Sequence, residues 1–287
     1  MGKGVKLVSY VSFTKTFATS IGGLEDAGAA EWLIRAPKLF EVRQIYNDGM
    51  GGKINVDFDF HGKGFSYLGG YPATGTIKKI NVLINGQPAV DLFGAKIDAT
   101  EFAKYLTKQD PFGLFATLLV GDDFIKGSDF IDTLYGFKGN DKIFAWGGFD
   151  IVNGGPGNDI NDGGPGNDYL QDTKGNDWFQ FSADIKLSSA ADNLGYNYDT
   201  IKSFSKGDKI YLSTEYFTGI GLKLEAGEFV KGPTALDAND HILWYNKVGY
   251  FDPDGNGMAP AIPFFTTEND AHITNKSFVM GTLYDPY

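Results

Sequence analysis

Gly136–Phe144 reads G-F-K-G-N-D-K-I-F, Gly154–Asp162 reads G-G-P-G-N-D-I-N-D and Gly163–Gln171 reads G-G-P-G-N-D-Y-L-Q. These are copies of one nine-residue unit. Carried outward in the same register, the pattern places an aspartate at every ninth position: Asp123, Asp132, Asp141, Asp150, Asp159, Asp168 and Asp177. A glycine stands two residues before most of them, at Gly121, Gly139, Gly148, Gly157, Gly166 and Gly175. Two residues after the aspartates come Ile125, Leu134, Ile143, Val152, Asn161, Leu170 and Phe179, of which only Asn161 is polar. A glycine-rich linker has no reason to hold apolar residues in strict register. The unit G-G-x-G-x-D-x-U-x in unbroken succession is that of a parallel β-helix. Each copy is a turn and a strand too short to bury anything alone, so neighbouring copies must stack to make a core.

Two units complete one coil, which sorts the aspartates into two columns. One side carries Asp123, Asp141, Asp159 and Asp177, and the other carries Asp132, Asp150 and Asp168. Carboxylates stacked at a strand spacing of about 4.8 Å repel one another. A hard cation between successive turns removes that repulsion. Calcium takes six to eight oxygen ligands, carboxylates and backbone carbonyls among them, and glycine-rich turns expose carbonyls. The segment holds no sulfur or imidazole, which argues against zinc and copper. The candidate ligands are therefore the seven aspartates with the turn residues Gly139, Gly148, Gly155, Gly157, Gly164, Gly166 and Gly175. Repeat quality ranks the sites. The best turns lie between Asp141 and Asp159 and between Asp159 and Asp177, followed by Asp150 to Asp168. The weakest are those of Asp123 and of Asp132, whose copy G-S-D-F-I-D-T-L-Y lacks two glycines. Trp146 also stands where the pattern has glycine.

The chain has 287 residues, 42% of them hydrophobic and 15% aromatic, which is enough for two or three folded units. We read it as an α+β unit at 1–117, the roll at 118–180 and a β-rich cap at 181–287, mainly β overall. A net charge of −11 disfavours nucleic acid, which requires a basic footprint. Cysteine is absent. No stretch approaches the ~20 apolar residues of a transmembrane helix, and the start lacks the apolar run of a signal peptide.

Before the repeats, Val5–Val11, Ile54–Phe60 and Thr76–Ile84 alternate as strands do, the last closed by Asn85-Gly86. Leu24–Leu33 reads as a helix. Asp98-Ala99-Thr100-Glu101 reads as a helix start, and Phe112–Leu119 as a short helix plugging the open end of the roll. After the repeats, Asp199–Phe204, Asp208–Leu212 and His241–Tyr245 read as strands. Asp252-Pro253-Asp254-Gly255-Asn256-Gly257 matches half of an EF-hand loop, but Pro263 replaces the bidentate glutamate, so a tight hairpin turn is the reading favoured.

The repeats, with W-F-Q-F-S from Trp178 and Y-D-T-I-K-S-F-S-K-G-D-K-I-Y-L-S from Tyr198, resemble the RTX proteins of Gram-negative bacteria and the C-terminal half of serralysin-type metalloproteases. His241–Phe265 is similar to the tail region of RTX exoproteins. The likeness covers about residues 112–280. It implies a roll that binds calcium outside the cell and a C-terminal signal, not cleaved, read by type I secretion machinery. The family's apolar terminal motif is matched by Ser277–Met280, with Gly281–Tyr287 extending past it.

An export module leaves activity to the rest of the chain. The three histidines, His61, His241 and His272, do not form H-E-x-x-H. Gly64-Phe65-Ser66 is half of a nucleophile elbow without the closing glycine. Asp57, Asp59 and His61 suit a solvated strand face better than an acid/base site. Tyr46, Phe58, Phe60, Phe65, Tyr67 and Tyr71 suit a β core better than a sugar-binding surface. The expectation is a secreted, structural or adhesive calcium-binding protein that self-associates or meets cell-surface polysaccharide. A secreted enzyme, such as a polysaccharide-active one, is the alternative, followed by a pore-forming protein.

Overall fold

The computed structural model describes residues 6–10, 31–36, 38–47, 53–68, 71–84, 87–100, 121–127, 131–182 and 197–282. Nearly all of them are strand or turn. Five antiparallel strands form a meander: β2 (Glu31–Arg35), β3 (Leu39–Asn47), β4 (Lys53–Leu68), β5 (Tyr71–Ile84) and β6 (Gln87–Asp98). The short strand β1 (Lys6–Tyr10) lies against the far side of β6, and its other edge pairs in parallel with the first strand of the roll.

The roll strands are three or four residues long: β7 (Phe124–Lys126), β8 (Thr133–Tyr135), β9 (Lys142–Phe144), β10 (Ile151–Asn153), β11 (Ile160–Asp162), β12 (Tyr169–Gln171) and β13 (Trp178–Phe181). They alternate between two parallel sheets, β7-β9-β11-β13 and β8-β10-β12, so each coil is two units, as the repeat requires. Ile125, Ile143, Asn161 and Phe179 are partners along one sheet, and Leu134, Val152 and Leu170 along the other. All are buried. These two inward ladders are the core that no single unit can form.

The coil continues past the repeats. β14 (Asp199–Ile201) stacks on β12, and β15 (Lys209–Ser213) on β13, both in parallel. β16 (Phe229–Val230), β17 (Ile242–Tyr245) and β18 (Val248–Phe251) follow, and β19 (Ile262–Thr267) and β20 (Phe278–Gly281) add a further layer. The ladder then gives way to an aromatic cluster. Phe181, Phe217, Phe264 and Phe265 are buried, with ring centroids 4.9–5.7 Å apart in their contacting pairs. Such a plug closes the C-terminal end of the stack, as repeat arrays need.

Two sequence expectations change. Glu31–Leu33, read as the end of a helix, is in β2, where Trp32 pairs with Val42 across an antiparallel ladder. A short apolar run fits either element, and the partner strand decides. Asp252–Gly257 is part of a wide connection between β18 (Val248–Phe251) and β19, not a tight turn. β1 pairs with the open edge of the first roll strand; the short helix expected at 112–119 lies outside the described residues, as do residues 24–30. Asp98 does begin a helical turn, its Oδ1 accepting the Thr100 N–H at 2.8 Å.

Candidate metal centre

The turns between the roll strands place the aspartates in the two expected columns and tie them rung to rung. The Asp123 N–H donates to Asp141 Oδ1 at 2.8 Å, Asp141 N–H to Asp159 Oδ1 at 2.7 Å, and Asp159 N–H to Asp177 Oδ1 at 3.0 Å. In the second column Asp132 N–H donates to Asp150 Oδ1 and Asp150 N–H to Asp168 Oδ1, at 2.7 and 2.8 Å. All seven carboxylates are buried. One oxygen of each carboxylate from Asp141, Asp150, Asp159 and Asp168 is thus used by the backbone of the preceding coil. The other, Oδ2, is buried without a hydrogen-bond partner.

Glycine makes room for those oxygens. A Cβ on Gly136 would stand 2.5 Å from Asp141 Oδ2, and one on Gly163 would stand 2.2 Å from Asp168 Oδ2. Carbonyls approach equally closely. A Cβ on Gly157 would lie 1.5 Å from Gly139 O, and the same stacking sets Gly139 on Gly121 O, Gly175 on Gly157 O and Gly166 on Gly148 O. Gly155 and Gly164 have φ of 97° and 80°, against Phe137 and Trp146 of the coil before. Those two bulky residues hold φ of 67° and 72°, so the turn imposes a left-handed backbone even where the sequence departs from glycine.

Burial drives the carboxyl pKa values upward. Asp141 and Asp150 are pushed to about 8 by desolvation, with neighbouring carboxylates in the column adding to the rise against the pull of the backbone N–H bond. Asp159 and Asp168 are pushed to about 7 and Asp177 to about 6, again mainly by desolvation. A stack of half-satisfied, buried carboxylates facing backbone carbonyls is an all-oxygen donor set with excess negative charge. That set fits calcium, a hard cation of high coordination number.

The family comparison agrees with this geometry. Residues 120–152, 130–160, 147–170 and 162–180 each match the RTX calcium-binding nonapeptide repeat. The middle of this chain belongs to the RTX calcium-binding repeats. Two solution structures of subunits of the mannuronan C5-epimerase of Azotobacter vinelandii are similar. AlgE6R3 is 23% identical, over 56% of this chain and 78% of the subunit, with a TM-score of 0.25. AlgE6R2 is 22% identical, over 55% and 92%, with a TM-score of 0.29. No curated protein matches the chain.

The RTX columns run further than the sequence reading placed them. Asp168 N–H donates to Asp199 Oδ1 at 3.0 Å, and Asp177 N–H to Asp208 Oδ1 at 3.1 Å. Both steps span 31 residues where the others span 18. The nonapeptide register therefore resumes after an insertion, with Ile201 and Ile210 in the inward ladders. The signal was present: Asp199 and Asp208 are nine apart, each followed two residues later by isoleucine. Asp122, Asn140, Asn158 and Asn176 form an outer ladder beside the first column, in which the side chains of Asp122, Asn140 and Asn158 accept the N–H of Asn140, Asn158 and Asn176 at 2.8–2.9 Å.

Elsewhere the other candidates find structural roles. Asp57 is held by Arg43 in a two-point ion pair of 2.6 and 2.9 Å. Ser66 lies inside β4 with its Oγ 2.8 Å from Thr74 Oγ1, not at a strand-to-helix elbow. Phe60 and Phe65 are buried and unavailable to a sugar. In the Asp252 loop the side chains serve their own backbone: Asp252 accepts from Asp254 and Gly257, Asp254 from Asn256 and Ala259, and Asn256 from Met258. No helix of the described residues is long and apolar enough to cross a membrane.

Proposed function

We propose that Asp123, Asp132, Asp141, Asp150, Asp159, Asp168 and Asp177, with the carbonyls of the glycine turns, hold calcium ions between successive coils. The observation that carries this is the buried, unpartnered Oδ2 on Asp141, Asp150, Asp159 and Asp168. Calcium supplies the positive charge that lets these carboxylates ionise inside the fold. The chain supplies a rigid ladder that presents them at one spacing. Because the ligands come together only in the folded coil, ion binding and folding are one event.

The protein is, in this reading, a secreted RTX protein exported by type I machinery, with the flanking units 1–117 and 181–287 carrying the roll. Low cytosolic calcium keeps the roll open for passage, and external calcium closes it. Its role is structural or adhesive, by self-association or attachment to cell-surface polysaccharide. In support, β2 ends the described twelve-stranded sheet, and an edge strand is a template for pairing with another chain. The test is the size distribution of the full chain with and without calcium, together with electron microscopy. Calcium-dependent polymers support the structural role. A strict monomer that turns over a polysaccharide refutes it.

A further inference from the structure

Asp172 departs from the repeat. It stands at the first position of its unit, where the two preceding coils have Gly136 and Gly154. Its carboxylate is buried. Oδ1 accepts the Thr173 N–H at 2.6 Å, and Oδ2 accepts Nδ2–H of Asn161 at 2.8 Å. Asn161 is itself the polar member of an inward ladder that also holds Ile125, Ile143, Phe179 and Ile210. It is wholly buried, and its Oδ1 has no hydrogen-bond partner. An amide in that place costs stability relative to an apolar residue, yet it is spent on orienting one carboxylate.

That carboxylate points into the first column. A Cβ on Gly154 would lie 2.4 Å from Asp172 Oδ2 and 2.7 Å from Asp159 Oδ2, so the two oxygens converge above the same glycine. Asp159 is 1% exposed and its Oδ2 has no partner. Asp177 joins them: one ligand atom from each of Asp159, Asp172 and Asp177 lies within 4.8 Å of the others. One coil earlier, a Cβ on Gly136 would meet Asp141 Oδ2 and a neutral carbonyl, Gly154 O, both at 2.5 Å. The same place in the fold thus pairs a carboxylate with a neutral oxygen in one coil and with a second carboxylate in the next.

We infer that Asp172, positioned by Asn161, is a third carboxylate ligand that makes the coil between Asp159 and Asp177 the tightest and first-filled cation site of the roll. The inference rests on the calcium reading of the columns. Calcium affinity rises with the number of charged ligands and the rigidity of the site. This site has one more carboxylate than its neighbours in the column. It also lies against β13 and β15, so filling it first would start the roll from its C-terminal end.

Terbium, a calcium mimic, tests this in the full metal-free chain. Trp178 follows Asp177 in sequence and sensitises an ion bound beside it. The expected wild-type titration shows tryptophan-sensitised emission saturating in an early step, ahead of the remaining uptake. Asp172→Asn should abolish that early step, weakening the first-filled site about tenfold or more, while later uptake persists. Asp172→Gly restores the residue of the preceding coils and should behave the same, with the β signal at saturating calcium confirming that both variants fold. An early step unchanged in both variants overturns the inference. Absence of metal uptake by the wild-type chain overturns the calcium reading beneath it as well.

Discussion

Removing calcium sets the buried carboxylates against the fold, and pH decides by how much. An aspartate in the unfolded chain ionises near pH 4. In the folded roll, burial raises Asp141 and Asp150 to about 8 and Asp159 and Asp168 to about 7. Below pH 4 both states are protonated and nothing is lost. As pH rises the unfolded chain releases protons that the folded roll retains, so stability falls until pH passes the folded value. At 1.36 kcal/mol per pH unit, one such carboxyl costs about 4–5 kcal/mol at pH 7.5 and roughly 1.5 kcal/mol at pH 5. Two of them at pH 7.5 match the ~5–15 kcal/mol stability of a whole domain. The metal-free chain should therefore lose its roll near neutral pH and recover part of it toward pH 5. Calcium should restore the fold at neutral pH, releasing protons as it binds and binding more weakly as pH falls. Circular dichroism melts of metal-free protein from pH 5 to 8.5, with calorimetry in buffers of different ionisation enthalpy, measure both effects. A metal-free Tm that is flat or rises across this range, or calcium binding at pH 7 without proton release, would refute the reasoning.

Asp159→Ala should cost more calcium-dependent stability than Asp132→Ala. Asp159 sits between two coils and its loss leaves the buried Asp141 N–H without an acceptor, a penalty of about 1–3 kcal/mol before any ion is counted; equal Tm losses in calcium would contradict the ranking. Gly157→Ala should destabilise the roll on the order of 3 kcal/mol, because its Cβ would meet Gly139 O at 1.5 Å. Gly232→Ala, whose Cβ would find nothing closer than Val230 Cγ1 at 3.6 Å, should change stability by less than about 0.5 kcal/mol in the same denaturant titration. Asp199→Asn and Asp208→Asn should each lower the calcium uptake measured by isothermal titration, since both extend the columns; unchanged uptake in both would confine the sites to residues 123–177.

The roll was legible because its period is enforced by stacking: an inward residue and a turn must recur every nine positions or the coil does not close. The strands of the meander were legible from alternation, as at Ile54–Phe60. What escaped was whatever broke the local period. Asp172 occupies a glycine position, so a search for the motif passes over it, although Gly154 leaves room for its carboxylate. Asp199 and Asp208 keep the motif but follow an insertion that hides their phase. The strand at Glu31–Arg35 was misread as helix because five residues of mixed character carry no period, and the choice was made by β3. The pairing of β1 with both β6 and β7 joins residues distant in sequence and has no local signature.

The insertion before Asp199 shows what actually stores the repeat. β13 ends at Phe181, and beyond the insertion Thr200 stands opposite Tyr169 and Ile210 opposite Phe179, in the register of the layers before. Phase is therefore remembered by the layer beneath and not by counting along the backbone. Each finished layer acts as a template that accepts whichever later segment offers aspartate, two-residue spacing and an aliphatic side chain. An array built on that rule can host foreign sequence between layers without losing its place.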